Sequence, residues 1–202
     1  MRELLIATSN KGKIREIKEI LAGIPYDIKT LADIDIREDI PETGKSFEEN
    51  AILKAKYAGG KSGLLTLAED SGLEVDALGG MPGIYSARYV EGTDEDRINK
   101  ILGELKEFPK EKRTARFKAV VAVYDPLGNK AQIFRGVSEG YITDIPSGDY
   151  GFGYDPIFYN QDLNKTNGEM TLEEKNKVSH RFRAISQAKE FLLKSIHRTN
   201  GY

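Results

Sequence analysis

Apolar positions along the chain fall into short continuous runs and helical stripes, separated by polar and glycine-rich stretches. Leu4-Leu5-Ile6-Ala7 is a strand-length apolar run. It leads through polar Thr8-Ser9-Asn10-Lys11-Gly12-Lys13 into Ile14, Ile17, Ile20 and Leu21 at helical spacing. Looser alternation over 26–41 (Ile28, Leu31, Ile34, Ile36, Ile40) predicts a strand or two and a loop ending at Pro41. Ser46-Phe47-Glu48-Glu49 opens a helix, with Ser46 and Glu49 at capping-box spacing. Its inward stripe is Ala51, Ile52, Ala55 and Ala58, and Gly59-Gly60 predict its end. Leu64 to Ala68 then reads as a buried strand stopped by Glu69 and Asp70, with a turn at Ser71-Gly72.

Beyond that turn Leu73, Val75 and Ala77 alternate with Glu74 and Asp76, as in a half-buried strand. Gly79-Gly80-Met81-Pro82-Gly83 predicts a loop. A helix follows from Thr93 to Phe108, with Ile98, Ile101, Leu102 and Leu105 inward and Pro109 as its stop. Arg116–Tyr124 and Ala131–Val137 predict an antiparallel hairpin, and Glu139–Ile145 a further strand. The last helix is predicted from Thr171, capped with Glu174, with Val178, Phe182, Ile185, Ala188, Leu192 and Ile196 as its core stripe; beyond Ser195 the tail should fray. A parallel α/β start giving way to antiparallel strands predicts an α/β fold, one domain over 1–202 built as two lobes on a mixed sheet with a cleft between them.

Composition narrows the class. The 202 residues are 39% apolar and 31% charged, the profile of a soluble globular protein. A net charge of -2 gives no sign of a nucleic-acid or membrane partner, so any polyanion site is a local pocket. There is no cysteine, which excludes disulfides, thiolate metal sites and cysteine nucleophiles. With no signal-peptide stretch and no transmembrane run, the expected compartment is the cytoplasm.

Four stretches carry candidate chemistry. Thr8 to Lys13 lies between a strand end and a helix N-terminus, where backbone N–H groups and the helix dipole attract phosphate; an ordinary polar loop with a Ser or Asn cap is the alternative. It is not a Walker A loop, and the Gly-Lys-Ser triplets at Gly44 and Gly60 have Asp39 and Ala55 where that motif requires glycine. Glu69 and Asp70 offer hard oxygen ligands to a cation such as Mg²⁺ and a proton acceptor for water, or else belong to a simple Asp-Ser-Gly turn. Glu48 and Glu49 are explained by the helix dipole, whereas the loop carboxylate Glu42 is left to join Asp70 on a metal. Gly148–Phe158 packs glycines and aromatics around Asp155-Pro156: a loop for close approach and base stacking, or a rigid aromatic-packed one. Lys175, His180 and Arg181 lie off the last helix's stripe, as on any surface helix.

Taken in order, several blocks resemble the inosine triphosphate pyrophosphatase family, the non-canonical purine nucleoside triphosphate pyrophosphatases. They are Thr8-x-Asn10-x-x-Lys13-x-x-Glu16, Pro41-Glu42-Thr43-Gly44 with Phe47-x-Glu49-Asn50-Ala51, and Glu69-Asp70-Ser71-Gly72-Leu73. The series continues with Leu78-Gly79-Gly80-Met81-Pro82-Gly83-Ile84-Tyr85-Ser86-Ala87-Arg88, Gly151-Phe152-Gly153-Tyr154-Asp155-Pro156 and Glu174-Lys175-x-x-x-Ser179-His180-Arg181.

That resemblance implies two α/β lobes around a long central mixed sheet flanked by helices, a nucleotide-binding cleft between the lobes, and a homodimer. It implies Mg²⁺-dependent hydrolysis of ITP, dITP and XTP to the monophosphate and pyrophosphate. Thr8, Ser9, Asn10, Lys11, Gly12 and Lys13 would hold the phosphates, and Glu42 and Asp70 the metal. Asp70 would be the proton acceptor with Glu69 its acidic neighbour, and Ser71 would contact substrate. Phe152 would stack on the base beside Gly153, Tyr154 and Asp155, while Lys175, His180 and Arg181 read its polar edge. Two rival readings are a Mg²⁺-dependent phosphatase releasing orthophosphate and a nucleotide-binding sensor without hydrolysis. Carboxylates at the site argue against the sensor, because phosphate binding alone gains nothing from them.

Overall fold

The computed structural model describes residues 2–38 and 40–199. Seven strands form one sheet in the order β2-β1-β3-β4-β5-β6-β7. They are β1 (Arg2–Ile6), β2 (Tyr26–Thr30), β3 (Leu65–Val75), β4 (Thr114–Asp125), β5 (Lys130–Ile142), β6 (Phe158–Asn160) and β7 (Lys165–Thr166). Five α-helices accompany them among the described residues: α1 (Lys11–Ile20), α2 (Phe47–Ser62), α3 (Asp94–Glu104), α4 (Leu172–Val178) and α5 (His180–Thr199). The chain divides into two compact units: Met1–Asp70 with Ala119–Arg135 and Phe182–Tyr202, and Ser71–Lys118 with Gly136–Arg181.

In the first unit β1 runs parallel to β2 and β3, with Leu4 opposite Ile28 on one side and Leu65 on the other. Parallel neighbours need a crossover, which α1 supplies between β1 and β2. Leu4, Leu5 and Ile6 are all fully buried, as expected of a strand covered on both faces. Leu4, Ile6 and Leu67 pack with Ile17 of α1, with Leu21 at its C-cap, and with Ala184, Ile185, Ala188 and Leu192 of α5. Thr66, of opposite parity, faces α2: a Cβ on Gly59 would lie 3.1 Å from its hydroxyl and 2.7 Å from the Tyr124 ring. Even-numbered residues of this half of β3 therefore look towards α2 and odd-numbered ones towards α1.

The second unit is an antiparallel set covered by α3. Tyr141 of β5 pairs with Tyr159 of β6, which pairs in turn with Thr166 of β7. Its core joins Leu73, Val75, Phe117 and Ile142 to Ile98, Ile101 and Leu105, and to Tyr154, Ile157 and Phe158 after the glycine-rich loop. The Thr93 cap and its reciprocal bonds with Asp96 start α3 where expected; the helix ends at Glu104, ahead of Pro109.

Several predicted boundaries are corrected. Among the described residues of 26–41 there is one strand, within the one or two expected, followed by a turn of 3-10 helix at Ala32–Ile34. Glu49 accepts from the Lys45 amide and not from Ser46, so only the Ser46 half of the capping box forms. Gly59 and Gly60 lie inside α2, where Gly59 permits the approach to Tyr124; Gly63, at φ +71°, ends the helix. No turn interrupts β3 at Ser71-Gly72, because the pairing continues to Val75. The predicted strands 131–137 and 139–145 are one strand, β5. The last helix is two, broken at Ser179, whose extended backbone (φ -69°, ψ 152°) cannot continue α4. α5 spans His180–Thr199, and residues 200–202 of the tail expected to fray lie outside the described residues.

Candidate active site

The candidate residues assemble into two groups, one in each unit. In the first, β1 stops at Ile6 while β3 continues, so Glu69 and Asp70 extend past the last β1 pair, Ile6 with Leu67. They are mid-strand residues, and not the strand end that the Ser-Gly sequence suggests. Successive strand residues face opposite ways, and the two carboxylates take different partners accordingly. Glu69, on the α1 side, lies 3.6 Å from Lys13 Nζ. Asp70, on the α2 side, accepts from Lys54 Nζ at 2.8 Å and from Asn50 Nδ2 at 3.1 Å.

Lys54 Nζ also donates to Glu42 at 2.6 Å, so the loop carboxylate and the strand carboxylate converge on one ammonium. Burial pushes the Asp70 carboxyl above its ordinary value; Lys54 opposes that shift and Glu42 adds to it. Lys54 titrates above the ordinary lysine range, because the two carboxylates outweigh its own burial. Asn50 is fixed at the start of α2, where its Oδ1 accepts the Gly44 amide at 2.8 Å and ties down the loop carrying Glu42.

The Thr8–Lys13 segment is ordered by its own hydrogen bonds. Asn10 is the N-cap of α1, accepting from the Lys13 amide at 3.0 Å, and its own amide donates to Thr8 Oγ1 at 3.2 Å. Ser9 and Lys11 are exposed, and Thr8, Gly12 and Lys13 half-buried. The Asn-cap expectation and the helix N-terminus expectation therefore describe the same residues.

The second group gathers around Asp155, itself 2% exposed. Its carboxylate accepts the Phe152 amide at 2.8 Å, Lys175 Nζ at 2.6 Å and Asn167 Nδ2 at 3.2 Å. Gly151, at φ +82°, is obligatory, since a side chain there would collide with that carboxylate. Gly153 donates to Asp94 at 2.7 Å, and the Tyr154 hydroxyl to the Ser86 carbonyl at 2.9 Å. Tyr154 is thereby a core residue of the loop. The half-buried Phe152 ring has Lys175 Nζ 4.9 Å and Arg181 Cζ 5.5 Å from its centroid. Arg181 also donates to Ser71 Oγ at 3.1 Å, and His180 stacks on Phe117.

Burial overturns the surface-helix expectation for Lys175, His180 and Arg181, which are 3%, 3% and 2% exposed. The break at Ser179 puts His180 and Arg181 in the first turn of α5. Long polar side chains are seldom fully buried unless paired, so three together make this a candidate site. Lys54 and Asn50 escape a reading by residue type. The signal for Lys54 is its place on the buried Ala51–Ala55–Ala58 stripe of α2, a charge where the helix period demands an apolar residue.

Glu42 and Asp70 fit Mg²⁺ by the chemistry of their donors. Two carboxylates already converge on one cation, and Mg²⁺ takes one or two carboxylates with phosphate oxygens and water completing its shell. Among the described residues no group of three or more His, Cys, Asp or Glu side chains gathers to hold a metal without such help. No described helix is long and apolar enough to cross a membrane.

Known proteins resemble this chain over nearly its whole length. The sequence profile of the Ham1 family matches residues 4–191. The chain is 50% identical over 194 residues to the dITP/XTP pyrophosphatase of Bacillus subtilis, covering 95% of this chain and 98% of that relative. It is 50% identical over 191 residues to the dITP/XTP pyrophosphatase of Symbiobacterium thermophilum, covering 95% of each. The solved HAM1 protein from Coxiella burnetii superposes with a TM-score of 0.88 at 38% identity, over 96% of this chain and 100% of that one. By sequence over nearly its whole length, and by fold, the chain belongs to the Ham1 family.

Proposed function

We propose that this protein hydrolyses non-canonical purine nucleoside triphosphates, ITP, dITP and XTP, to the nucleoside monophosphate and pyrophosphate, clearing them from the nucleotide pool. The observation that carries the reading is the half-buried Glu42 meeting buried Lys54 and Asp70 in one cluster, in a chain half identical to relatives named for that activity. Carboxylates beside a phosphate-binding helix end repel a triphosphate unless they do chemistry. That favours an enzyme over a binding protein.

Lys13 and the N-terminal amides of α1 attract the phosphates, and Asn10 fixes that turn. Asp70 takes the proton from water as it attacks the α-phosphorus. Its burial raises its basicity towards the working pH, and Lys54 and Asn50 hold its orientation. Glu69 sets the position of Lys13. Glu42 and Asp70 would hold Mg²⁺, whose chemistry is to neutralise phosphate charge and make water easier to deprotonate.

Phe152 stacks on the base, held by the bonds Asp155 and Gly153 make around it. Lys175, His180 and Arg181 read the 6-keto edge, where hypoxanthine and xanthine present an acceptor and adenine an amino group. Ser71 hydrogen-bonds Arg181 and holds it towards substrate. The reading extends to one domain over 1–202, a homodimer, and action in the cytoplasm on free nucleotides without a nucleic-acid or membrane partner. Asp70→Asn tests the central role: turnover of ITP should fall by roughly a hundredfold or more while ITP still binds. Near-normal turnover would remove Asp70 from the chemistry.

A further inference from the structure

We infer that Phe117 is a positioning residue for base recognition, setting the plane of the His180 ring. The inference rests on the reading that His180 contacts the purine edge, and it assigns a task to a residue that meets no substrate itself.

The nitrogens of an imidazole lie in its plane, so the direction of its hydrogen bonds is the orientation of the ring. The torsion that turns that ring is broad and roughly two-fold, and rotamer preference alone leaves it unset. A neighbouring group has to bear on it, and the Phe117 ring does so face to face, 4.7 Å from the His180 ring, centroid to centroid, with only 12° between their planes.

Phe117 is itself immobilised. It is 8% exposed on β4, one residue on from the fixed pair Arg116–Asp76 and two on from fully buried Ala115. Phe158 packs against it at 4.7 Å and 57°, a tilted contact that closes one side and leaves a flat face for His180. The backbone of His180 is fixed separately, because Ser179 caps α4 through the Lys175 carbonyl at 2.9 Å and α5 starts at His180. Backbone and ring plane together determine where the imidazole nitrogens point.

The test compares Phe117→Leu with Phe158→Leu and His180→Ala. Both leucine variants lose a core aromatic ring, but only Phe117→Leu loses the face beneath His180. Phe117→Leu should raise KM for ITP roughly two- to tenfold, the range an aromatic pair is worth, with kcat nearly unchanged. Phe158→Leu should leave KM near wild type. The sequence has two histidines, His180 and His197, so proton NMR reads the ring directly, with His180→Ala assigning its signals. In the wild type the His180 ring protons should be displaced upfield by the Phe117 ring current; Phe117→Leu should abolish that displacement and Phe158→Leu keep it.

The inference is overturned if Phe117→Leu and Phe158→Leu change KM alike, or if the His180 resonances stay where they are in Phe117→Leu. If His180→Ala raises KM and Phe117→Leu does not, the positioning role alone fails. If His180→Ala leaves KM unchanged, base recognition by His180 fails and the inference falls with it. Should Phe117→Leu not fold, Phe117→Met, whose unbranched side chain adapts to the gap a lost ring leaves, reads the same way.

Discussion

Replacing Lys54 by methionine removes an ammonium held at 2.6 Å by Glu42 and at 2.8 Å by Asp70, and keeps an unbranched side chain at a position 7% exposed. Removing one partner of a buried ion pair costs about 3–5 kcal/mol, since the remaining charge stays buried. For a chain of this size each kcal/mol lowers Tm by about 2–4 °C, so a fall of roughly 6–20 °C is expected. Most of the loss falls on Asp70, the more enclosed of the two carboxylates. Its pH dependence follows from sign. Burial already holds the Asp70 carboxyl above its ordinary value and Lys54 is the main opposing influence, so the methionine variant raises it further. A carboxyl whose folded pKa exceeds its unfolded value of about 4 favours folding fully below that value and loses the benefit as pH rises through the folded one. The deficit should therefore be larger at pH 8 than at pH 5. Urea unfolding at both pH values measures it, with Lys54→Arg retaining the charge as a control. A loss under about 1 kcal/mol at pH 8, the range of an exposed pair, or an equal loss at both pH values would refute the reasoning.

Arg181→Ala should narrow the preference for ITP over ATP by about ten- to a hundredfold, the discrimination available from a buried donor left facing an amino group. Ratios of kcat/KM measure it, and an unchanged ratio would place base reading elsewhere. Lys13→Ala should raise KM for ITP far more than it lowers kcat, because Lys13 sits at the first turn of α1; an unchanged KM would exclude it from the phosphate site. Asp76 is held below the ordinary carboxylate range by Arg116, and next by Thr114. Such a group stabilises the fold above its unfolded pKa of about 4 and loses the contribution as pH falls through the lower folded value. Asp76→Asn should consequently flatten the acid end of the stability profile below about pH 4, as acid unfolding followed by circular dichroism would show; an unchanged acid limb would discount the pair.

Periodicity carried α1 and α3 well, because each buries one apolar face, with Ile17 and Ile20 on α1 and Ile98 and Ile101 on α3; β1 was legible as a continuous apolar run covered on both faces. It failed where turn-forming residues are held in regular structure by pairing or packing. Ser71-Gly72 reads as a turn by composition, yet pairing carries β3 through it. Gly59-Gly60 reads as a stop, yet α2 continues because a small residue is needed against Tyr124. Ser179 is the opposite case, a break with no proline or glycine to announce it, and missing it makes three buried site residues look like surface ones. For the candidate site, the acids were visible as residue types. Their partners Lys54 and Asn50 were not, since a buried charge in a helix stripe has meaning only once the strand opposite it is known. The family resemblance rested on motif order, which survives such local errors.

The most direct measurement is product analysis of the purified protein with Mg²⁺ and a panel of ITP, XTP, dITP, GTP and ATP, assaying pyrophosphate and orthophosphate separately. The account predicts pyrophosphate and the nucleoside monophosphate, with ITP, dITP and XTP strongly favoured over ATP. Orthophosphate with a nucleoside diphosphate would move the attack to the γ-phosphorus and contradict it, as would tight binding with no product.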